Sequence, residues 1–372
     1  MSEIAERELF PPGEYIRDEL ESRSWTQEDL AEILGRPLRT INQIILGKVA
    51  ITAQTAQELA AAFGTSPELW VNLEGAYRLA LESTAKEEVA ERSRLFEFAP
   101  VKDMAKRNWI KDTSEPAAIE RELLRFFKTD SLDRRPALSA AARMSASYES
   151  LNPSQFAWLF RARQLGEAVH AKTFDRSKVC DHLDALHRLT VSEQEVRHVP
   201  KVLADMGIRF VVVQHLPKTK IDGAVIWLDE DRPVIAVSLR YDRIDGFWHT
   251  LAHEVRHVVH GDGSVDDDLV GAAKIGTSSV VPAELRADRE AARFLIPDDV
   301  ISSFVDRHHH RFSRAKVIQF SNLHQIHPGI VIGQLHHRGA LPYTHLREML
   351  VPVRELLTQV SMTDGWGHHP GI

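Results

Sequence analysis

The sequence predicts a mostly helical α+β protein, with an all-α N-terminal domain and a later domain that contains a small sheet. Residues 12–92 carry apolar side chains at helical spacing, interrupted by the helix-ending glycines Gly35 and Gly64. Residues 207–240 instead hold three short runs rich in β-branched residues, and a turn at 229–233 separates the last two. The 372 residues exceed what one ordinary core holds, so we expect two or three domains.

We place the domains at residues 1–94, 95–200 and 201–372. The first is the all-helical domain. The second alternates apolar helical stretches with polar ones, and we interpret it as a helical linker and support region without chemistry of its own. The third combines the strands with helices predicted at about 243–260 and 283–295, and with further helices behind them.

Composition excludes several classes of protein. No apolar run reaches the roughly 18–20 residues that a membrane span needs, and the charged first residues lack the apolar segment of a secretory signal. The single cysteine, Cys180, excludes an internal disulfide framework and a zinc site made of cysteines. We therefore expect a cytoplasmic protein. Its net charge of −7 gives no general sign of nucleic-acid binding.

A histidine–glutamate motif indicates metal chemistry. Residues 250–260 contain His253-Glu254-x-x-His257, and helix positions four apart lie on one face, one turn apart. Two imidazoles so placed can bind one Zn²⁺, while Glu254 lies about 100° round the axis, where it reaches a zinc-bound water. Zinc lowers the pKa of that water toward about 7, so Glu254 is the candidate general base. The apolar stripe expected opposite the ligands consists of Phe247, Leu251, Val255 and Val258.

Glu284 is our choice for a third ligand, because a catalytic zinc usually has three protein ligands and one open position. It follows Pro282 at the expected start of a helix whose alanines permit close approach to the motif helix. Asp288, one turn further, is a candidate for orienting a ligating histidine. His260 is a candidate for a side chain that contacts a metal ligand or donates a hydrogen bond to the transition state. Glu290 is expected to point away.

Simpler interpretations stay open for these residues. The two motif histidines could lie on the surface of an amphipathic helix, and Glu284 could be a first-turn carboxylate favoured by the helix dipole. His260 could be a partly exposed helix residue. We interpret the three adjacent histidines at 308–310 as a solvated helix end or loop, because consecutive residues do not share a helix face.

A helix, a short turn and a second helix between residues 26 and 46 have the spacing of a helix-turn-helix. Thr26 is the candidate N-cap of the first helix, Asp29 completes a capping box, and Gly35 ends the helix. The second helix follows Pro37 and carries residue types that contact base edges, with cations nearby for phosphates. The base-contacting candidates are Arg39, Thr40, Asn42 and Gln43, and the phosphate candidates are Arg36 and Lys48.

Charge limits this DNA-binding hypothesis. The first 95 residues hold 17 acidic and 10 basic side chains, so attraction to phosphates must come from a local patch. Binding is then expected to be modest unless the protein dimerises. The alternative is a helical module for protein–protein contact that does not bind DNA.

The first domain resembles the HigA-type antitoxins of the Xre helix-turn-helix family over residues 8–82. The resemblance includes Leu-Ala-Glu-Ile-Leu-Gly at 30–35 and Phe-Gly-Thr-Ser-Pro-Glu-Leu-Trp at 63–70. It implies binding of double-stranded operator DNA. It also raises a third possibility, that residues 1–95 neutralise a toxin by direct contact.

Residues about 205–340 resemble the ImmA/IrrE metallopeptidases. The matching segments include Phe-Trp-His-Thr-Leu-Ala-His-Glu-x-x-His at 247–257 and Glu-Leu-Arg-Ala-Asp at 284–288. The family pattern places its third ligand at Glu284, and the resemblance implies a zincin-like, gluzincin-type α+β peptidase that cleaves repressor-like proteins. Three departures retain the ligands but bear on substrate fit: Arg256 replaces a usual glycine, Asp288 a usual asparagine and Glu290 a usual phenylalanine.

The leading hypothesis is a regulatory endopeptidase with Zn²⁺ as cofactor, which binds DNA and cleaves a repressor-like or toxin–antitoxin partner protein. The strands within 208–240 would offer an edge to which an extended substrate adds as a β-strand. The alternative is a transcriptional repressor or antitoxin whose metal site is structural or sensory. A homodimer is compatible with either hypothesis.

Overall fold

The chain consists of two compact units, Met1–Ser93 and Arg94–Ile372, which differ in architecture. The structure is a computed structural model, and it describes residues 11–81, 83–136, 151–261, 264–267, 280–308 and 311–370. Within these ranges, none of the helices combines the length and the apolar character needed to cross a membrane.

The first unit is all-α, as the sequence predicts. A capping box joins Thr26 and Asp29 at the start of its second helix, and Gly35 ends that helix in the left-handed conformation. Ile41 and Trp70 are among the side chains that form its buried core. Its helices are α1 (Pro12–Arg23), α2 (Gln27–Leu34), α3 (Leu38–Ile45), α4 (Ala53–Phe63) and α5 (Pro67–Leu81), and α6 (Ser83–Phe98) includes the boundary between the units.

The second unit contains a five-stranded mixed sheet with helices on both faces. Its strands are β1 (Arg209–Val213), β2 (Ile221–Trp227), β3 (Pro233–Val237), β4 (Ser264–Asp267) and β5 (Met362–Asp364). The helices described here are α7 (Val101–Lys106), α8 (Pro116–Phe127), α9 (Pro153–Ala168), α10 (Arg176–Arg188), α11 (Val199–Asp205), α12 (Ile244–His260), α13 (Val280–Leu295), α14 (Asp298–His308), α15 (Arg314–His324), α16 (Pro328–His337) and α17 (Arg354–Thr358).

The strand order is β4-β2-β3-β1-β5. β1 pairs in parallel with β3 and β5, whereas β2 is antiparallel to both β3 and β4. The predicted hairpin is therefore confirmed, with Trp227 opposite Pro233 beside the turn. The expectation of an open edge within residues 208–240 is wrong, because β4 and β5 cover β2 and β1 on their outer sides.

Alternate residues of each strand face different helical layers. Val212 and Ile235 join a core with α12, whereas Val211 and Ala236 join a core with α8 and α9. The segment 95–200, expected as a helical support, contributes helices to both layers. Both faces of the central strands are thus buried, which explains their nearly continuous apolar sequence.

The last strand is attached to the unit by a buried ion pair. Arg161 on α9 donates to the carboxylate of Asp364 at 2.6 Å, and the two side chains are 7 % and 1 % exposed. The indole Nε1 of Trp109 also donates to this carboxylate at 3.1 Å. Buried charges are tolerated when they are paired and hydrogen-bonded in this way.

We predict that Asp364→Ala lowers the free energy of unfolding of the second unit by about 3–5 kcal/mol, because it leaves the Arg161 guanidinium buried without its carboxylate. Urea denaturation followed by circular dichroism measures this change. Lys201→Ala, which removes an exposed ion pair with Asp205, is the control and should leave the unfolding curve nearly unchanged. If the two substitutions lowered the free energy of unfolding equally, the buried ion pair would not be what attaches the last strand.

Candidate functional site

The helix α12 brings His253 and His257 onto one buried face. The predicted apolar stripe of this helix is buried in the core. This packing fixes the rotation of the helix about its axis, and so it also fixes the direction in which the two histidines point. Both imidazoles are 1 % exposed, and their ring centroids lie 4.7 Å apart. Their Nε2 atoms are separated by 3.0 Å. The i, i+4 spacing therefore directs both nitrogens into the same small space.

Glu284 reaches that space from α13. Its Oε2 lies 3.1 Å from Nε2 of His253 and 3.4 Å from Nε2 of His257. Ala287 and Ala291 are buried, and such small side chains permit close approach of α12 and α13. The helix begins at Val280 and not after Pro282 as the sequence suggested, so Glu284 lies in its second turn.

These three side chains fit a zinc ion by donor type and by spacing. Among the described residues, they are the group of histidine and acidic side chains whose ligand atoms converge, within 4.8 Å of one another. Two donors that each lie about 2.0–2.1 Å from a tetrahedral zinc are roughly 3.3 Å apart. The three separations in the structure, 3.0, 3.1 and 3.4 Å, are close to that value.

Glu284 is held in its ionised form. Burial raises the pKa of its carboxyl, but hydrogen bonds from His253 and His257 outweigh this effect and lower the pKa to about 2. The group is therefore a carboxylate at neutral pH. An anionic oxygen beside two imidazole nitrogens is a donor set that suits a divalent cation.

Asp288 orients the first histidine. Its Oδ1 lies 2.9 Å from Nδ1 of His253, so that Nε2, on the other side of the ring, faces Glu284 and His257. Nε2 of His249 lies 3.5 Å from the same oxygen. Burial raises the pKa of Asp288, but the hydrogen bonds from His249 and His253 hold it well below its usual range. Sequence reasoning missed His249, although it precedes His253 by four residues on the same helix face.

Glu254 is fully buried beside the sheet. A Cβ atom built on Gly223 of β2 would lie 2.7 Å from Oε1 of Glu254 and 2.6 Å from Cγ2 of Thr250. Glycine therefore permits α12 to approach β2 at this point. Sequence reasoning did not identify Gly223, since its contact with α12 spans about thirty residues of chain.

His260 lies apart from the three converging side chains. Its Nε2 is 2.9 Å from Oε2 of Glu290, and its side chain is 28 % exposed. Glu290, which was expected to point away, contacts His260 at the end of α12 and lies outside the three converging ligands. Of the histidines at 308–310, His308 ends α14 and packs edge-on against Phe304, and the other two lie outside the described residues.

The first unit presents the predicted second helix of the helix-turn-helix. Ile41, Ile44 and Ile45 are buried beneath α3. Of the base-contacting candidates, Arg39 is exposed, and Thr40, Asn42 and Gln43 are half-buried. Lys48 is exposed just beyond the helix.

Arg36, the other predicted phosphate contact, forms an ion pair within the unit. Its Nε lies 2.6 Å from Oε2 of Glu58 on α4, and the two side chains are 24 % and 27 % exposed. The guanidinium is thus engaged within the unit. Hydrogen bonding to Arg36 lowers the pKa of Glu58, so this carboxylate stays ionised and retains the arginine.

Comparison with known proteins gives matches to the first unit. Residues 16–70 match the protein family described as Helix-turn-helix. The chain is 30 % identical over 69 residues to the uncharacterized HTH-type transcriptional regulator YddM of Escherichia coli (strain K12), a match that covers 18 % of this chain and 73 % of that protein. It is 41 % identical over 68 residues to the antitoxin HigA-1 of Vibrio cholerae serotype O1, covering 18 % of this chain and 64 % of the antitoxin.

A similar solved structure is that of an addiction module antidote protein of a HigA family from Coxiella burnetii. The sequence identity is 33 %, and the match covers 23 % of this chain and 95 % of that one, with a TM-score of 0.22. The matches to YddM and to HigA-1 each extend over less than a fifth of the chain.

We predict that Gly223→Ala lowers the free energy of unfolding by about 1–3 kcal/mol, because the added methyl group overpacks the contact between β2 and α12. Gly246→Ala is the matched control, since no atom lies within 4 Å of its Cβ position at the start of the same helix. That substitution should stabilise the protein by about 0.5–1 kcal/mol. Thermal unfolding distinguishes the two, and a neutral Gly223→Ala would contradict the close contact.

Proposed function

The chain belongs to the helix-turn-helix family through its first unit, and from this premise we propose that the protein is a zinc-dependent regulatory endopeptidase with a DNA-binding regulator at its N-terminus. The proposal for the first unit follows its similarity to an HTH-type transcriptional regulator and to the antitoxin HigA-1. The second unit is proposed to hydrolyse a peptide bond in a partner protein, such as a repressor or a component of a toxin–antitoxin pair.

One observation supports the peptidase proposal more than any other: the ligand atoms of His253, His257 and Glu284 converge in a space that suits one tetrahedral ion. These side chains would hold the zinc. When bound, zinc supplies a Lewis acid that polarises the peptide carbonyl and lowers the pKa of a water molecule.

The protein side chains around that space have separate roles in the proposed reaction. Glu254 follows His253 directly and therefore lies on a different face of α12, where it cannot join the same ligand set. Its carboxylate would accept a proton from the attacking water and deliver it to the leaving amine. Asp288 would keep Nδ1 of His253 protonated, so that Nε2 could offer its lone pair as a metal ligand.

The main alternative function is a transcriptional repressor or antitoxin whose metal site is structural or sensory. It is favoured by the matches to a transcriptional regulator and an antitoxin, which cover the first unit. The presence of Glu254 directly after His253 favours the enzyme, because a purely structural zinc site does not require a general base. The two functions differ in what they require of this residue.

We predict that Glu254→Gln retains about one zinc per chain but lowers the rate of peptide hydrolysis by about 10²–10⁴-fold, because the amide cannot accept the proton. Metal content is measured by mass spectrometry of the purified full chain, and hydrolysis is measured with a mixed peptide library.

Glu290→Gln on α13 is the matched control and should retain both metal and hydrolysis. Wild-type protein that hydrolyses peptides equally well without metal, or a fully active Glu254→Gln variant, would exclude the proposed mechanism. The repressor or antitoxin alternative would be supported by two results together. The wild type would not hydrolyse peptides, and the Glu254→Gln variant would still repress transcription.

We predict that Arg39→Ala weakens binding to the promoter region upstream of the protein's own gene by about 1–3 kcal/mol, because Arg39 is the exposed cation on α3. A gel-shift titration at several salt concentrations measures this. Arg17→Ala, which removes an exposed arginine from α1, is the control for net charge. Equal loss in both variants, or no binding by the wild type at low salt, would count against base contact by α3.

A further inference from the structure

The carboxyl ends of β1, β3 and β5 meet at one edge of the sheet. They do so because β1 is parallel to both β3 and β5. Open sheets that contain parallel strands commonly bind ligands in the crevice outside these ends. The segments that leave this edge carry several basic side chains.

Four cationic or titratable side chains meet there, and we call them the basic cluster: Arg107, His215, Arg240 and Arg354. Arg107 follows α7 and donates to the carbonyl oxygen of His215 at 3.0 Å. Arg354 donates to the carbonyl oxygen of Leu239 at 3.3 Å. Burial lowers the pKa of His215, and the positive charges of the three arginines lower it further. Two neighbouring residues after β5 contact two of these arginines, because a Cβ on Gly365 would lie 2.8 Å from Nη1 of Arg107 and Arg354 packs over the ring of Trp366.

Part of the positive charge in the basic cluster is not neutralised nearby. Arg240 pairs with Asp222, and Arg354 lies 3.6 Å from Asp242. By contrast, no carboxylate of the described residues lies within ion-pair distance of Arg107. The nearby carboxylate of Asp364 is paired with Arg161 instead. Burial accordingly lowers the pKa of Arg107, with only partial compensation from Asp364 and Asp103.

Hydrogen-bonding capacity is also left over. Nη1 of Arg107 and Nε of Arg354 are buried, and neither of these donors has a hydrogen-bond partner among the described residues. Leaving such donors buried without acceptors is costly, and it is most costly for a charged group. An acceptor that carries negative charge would satisfy both the surplus donors and the surplus charge.

The backbone around the basic cluster is strained in a way that is common at binding sites. Lys218, Lys220, Leu239 and Trp366 all have positive φ, and all lie in segments that flank this edge. Gly365 has a φ of 118°, and a Cβ at this position would lie 2.8 Å from Nη1 of Arg107. Glycine at 365 thus allows the backbone to lie in close contact with this guanidinium.

We propose that the basic cluster binds a small oxyanion, a phosphate or carboxylate group presented by a metabolite or a peptide. Arg240 packs over the ring of Tyr241 at 4.7 Å, and Arg354 packs over Trp366 at 5.0 Å. These contacts fix the planes of two guanidinium groups in advance, which reduces the entropy cost of binding. Asp242 links the site to the segment that enters α12, because it accepts hydrogen bonds from the backbone of Val353 and Arg354.

The test is isothermal titration of the purified full chain with inorganic phosphate and, separately, with succinate, at constant ionic strength set by sodium chloride. The two anions distinguish phosphate from carboxylate as the preferred group. Both titrations are repeated in His257→Ala, which leaves the basic cluster intact and removes a side chain of the candidate metal centre. Binding that persists in this variant is independent of the peptidase proposal.

We expect saturable binding of at least one anion, weakened about tenfold or more in Arg107→Gln and in Arg354→Gln, since each removes a charge-assisted hydrogen bond. Arg209→Gln is the matched control, because Arg209 is a partly buried arginine at the opposite end of β1, and it should retain wild-type affinity. Arg354→Gln keeps the test valid if Arg107→Gln does not fold. Absence of saturable binding by the wild type, or equal weakening by all three substitutions, would overturn the proposal.

Discussion

The close packing of α12 against α13 is the constraint on which the candidate metal centre depends. Helical periodicity alone brings His253 and His257 together, but the third donor arrives from a separate helix, and small buried side chains such as Ala287 set its distance. Burying two imidazoles and a carboxylate together costs free energy unless their polar atoms have hydrogen-bond partners. Asp288 supplies one such partner, for Nδ1 of His253. The sheet provides the rest of the frame, because Gly223 lets α12 lie directly on β2.

The sequence predicts those features of the structure that follow from local periodicity. The helix-turn-helix of the first unit, the β2–β3 hairpin and the apolar stripe of α12 depend on residues a few positions apart, and these were predicted. The choice of Glu284 needed more, because no local rule relates it to a motif some thirty residues earlier; the usual three-ligand requirement and a family resemblance supplied that information. His249 was detectable from its spacing of four before His253, and it was overlooked because the histidine motif already accounted for that face.

Features that depend on distant contacts were not predictable in this way. The position of β4 outside β2 follows from pairing between segments about forty residues apart, so the open edge expected for substrate binding was misplaced. Arg36 was assigned to phosphate because it is a cation near α3, yet Glu58 on a later helix engages it. This pair neutralises one of the basic side chains of an acidic unit. Arg39 and Lys48 are the exposed cations of the predicted DNA-contacting set.

The most direct test of the central claim is anomalous diffraction from crystals of the full chain grown with zinc, recorded on both sides of the zinc absorption edge. The account predicts one strong peak about 2.0–2.2 Å from Nε2 of His253, Nε2 of His257 and a carboxylate oxygen of Glu284. A zinc-loaded crystal with no peak among these atoms, or with the three side chains directed apart, would contradict it.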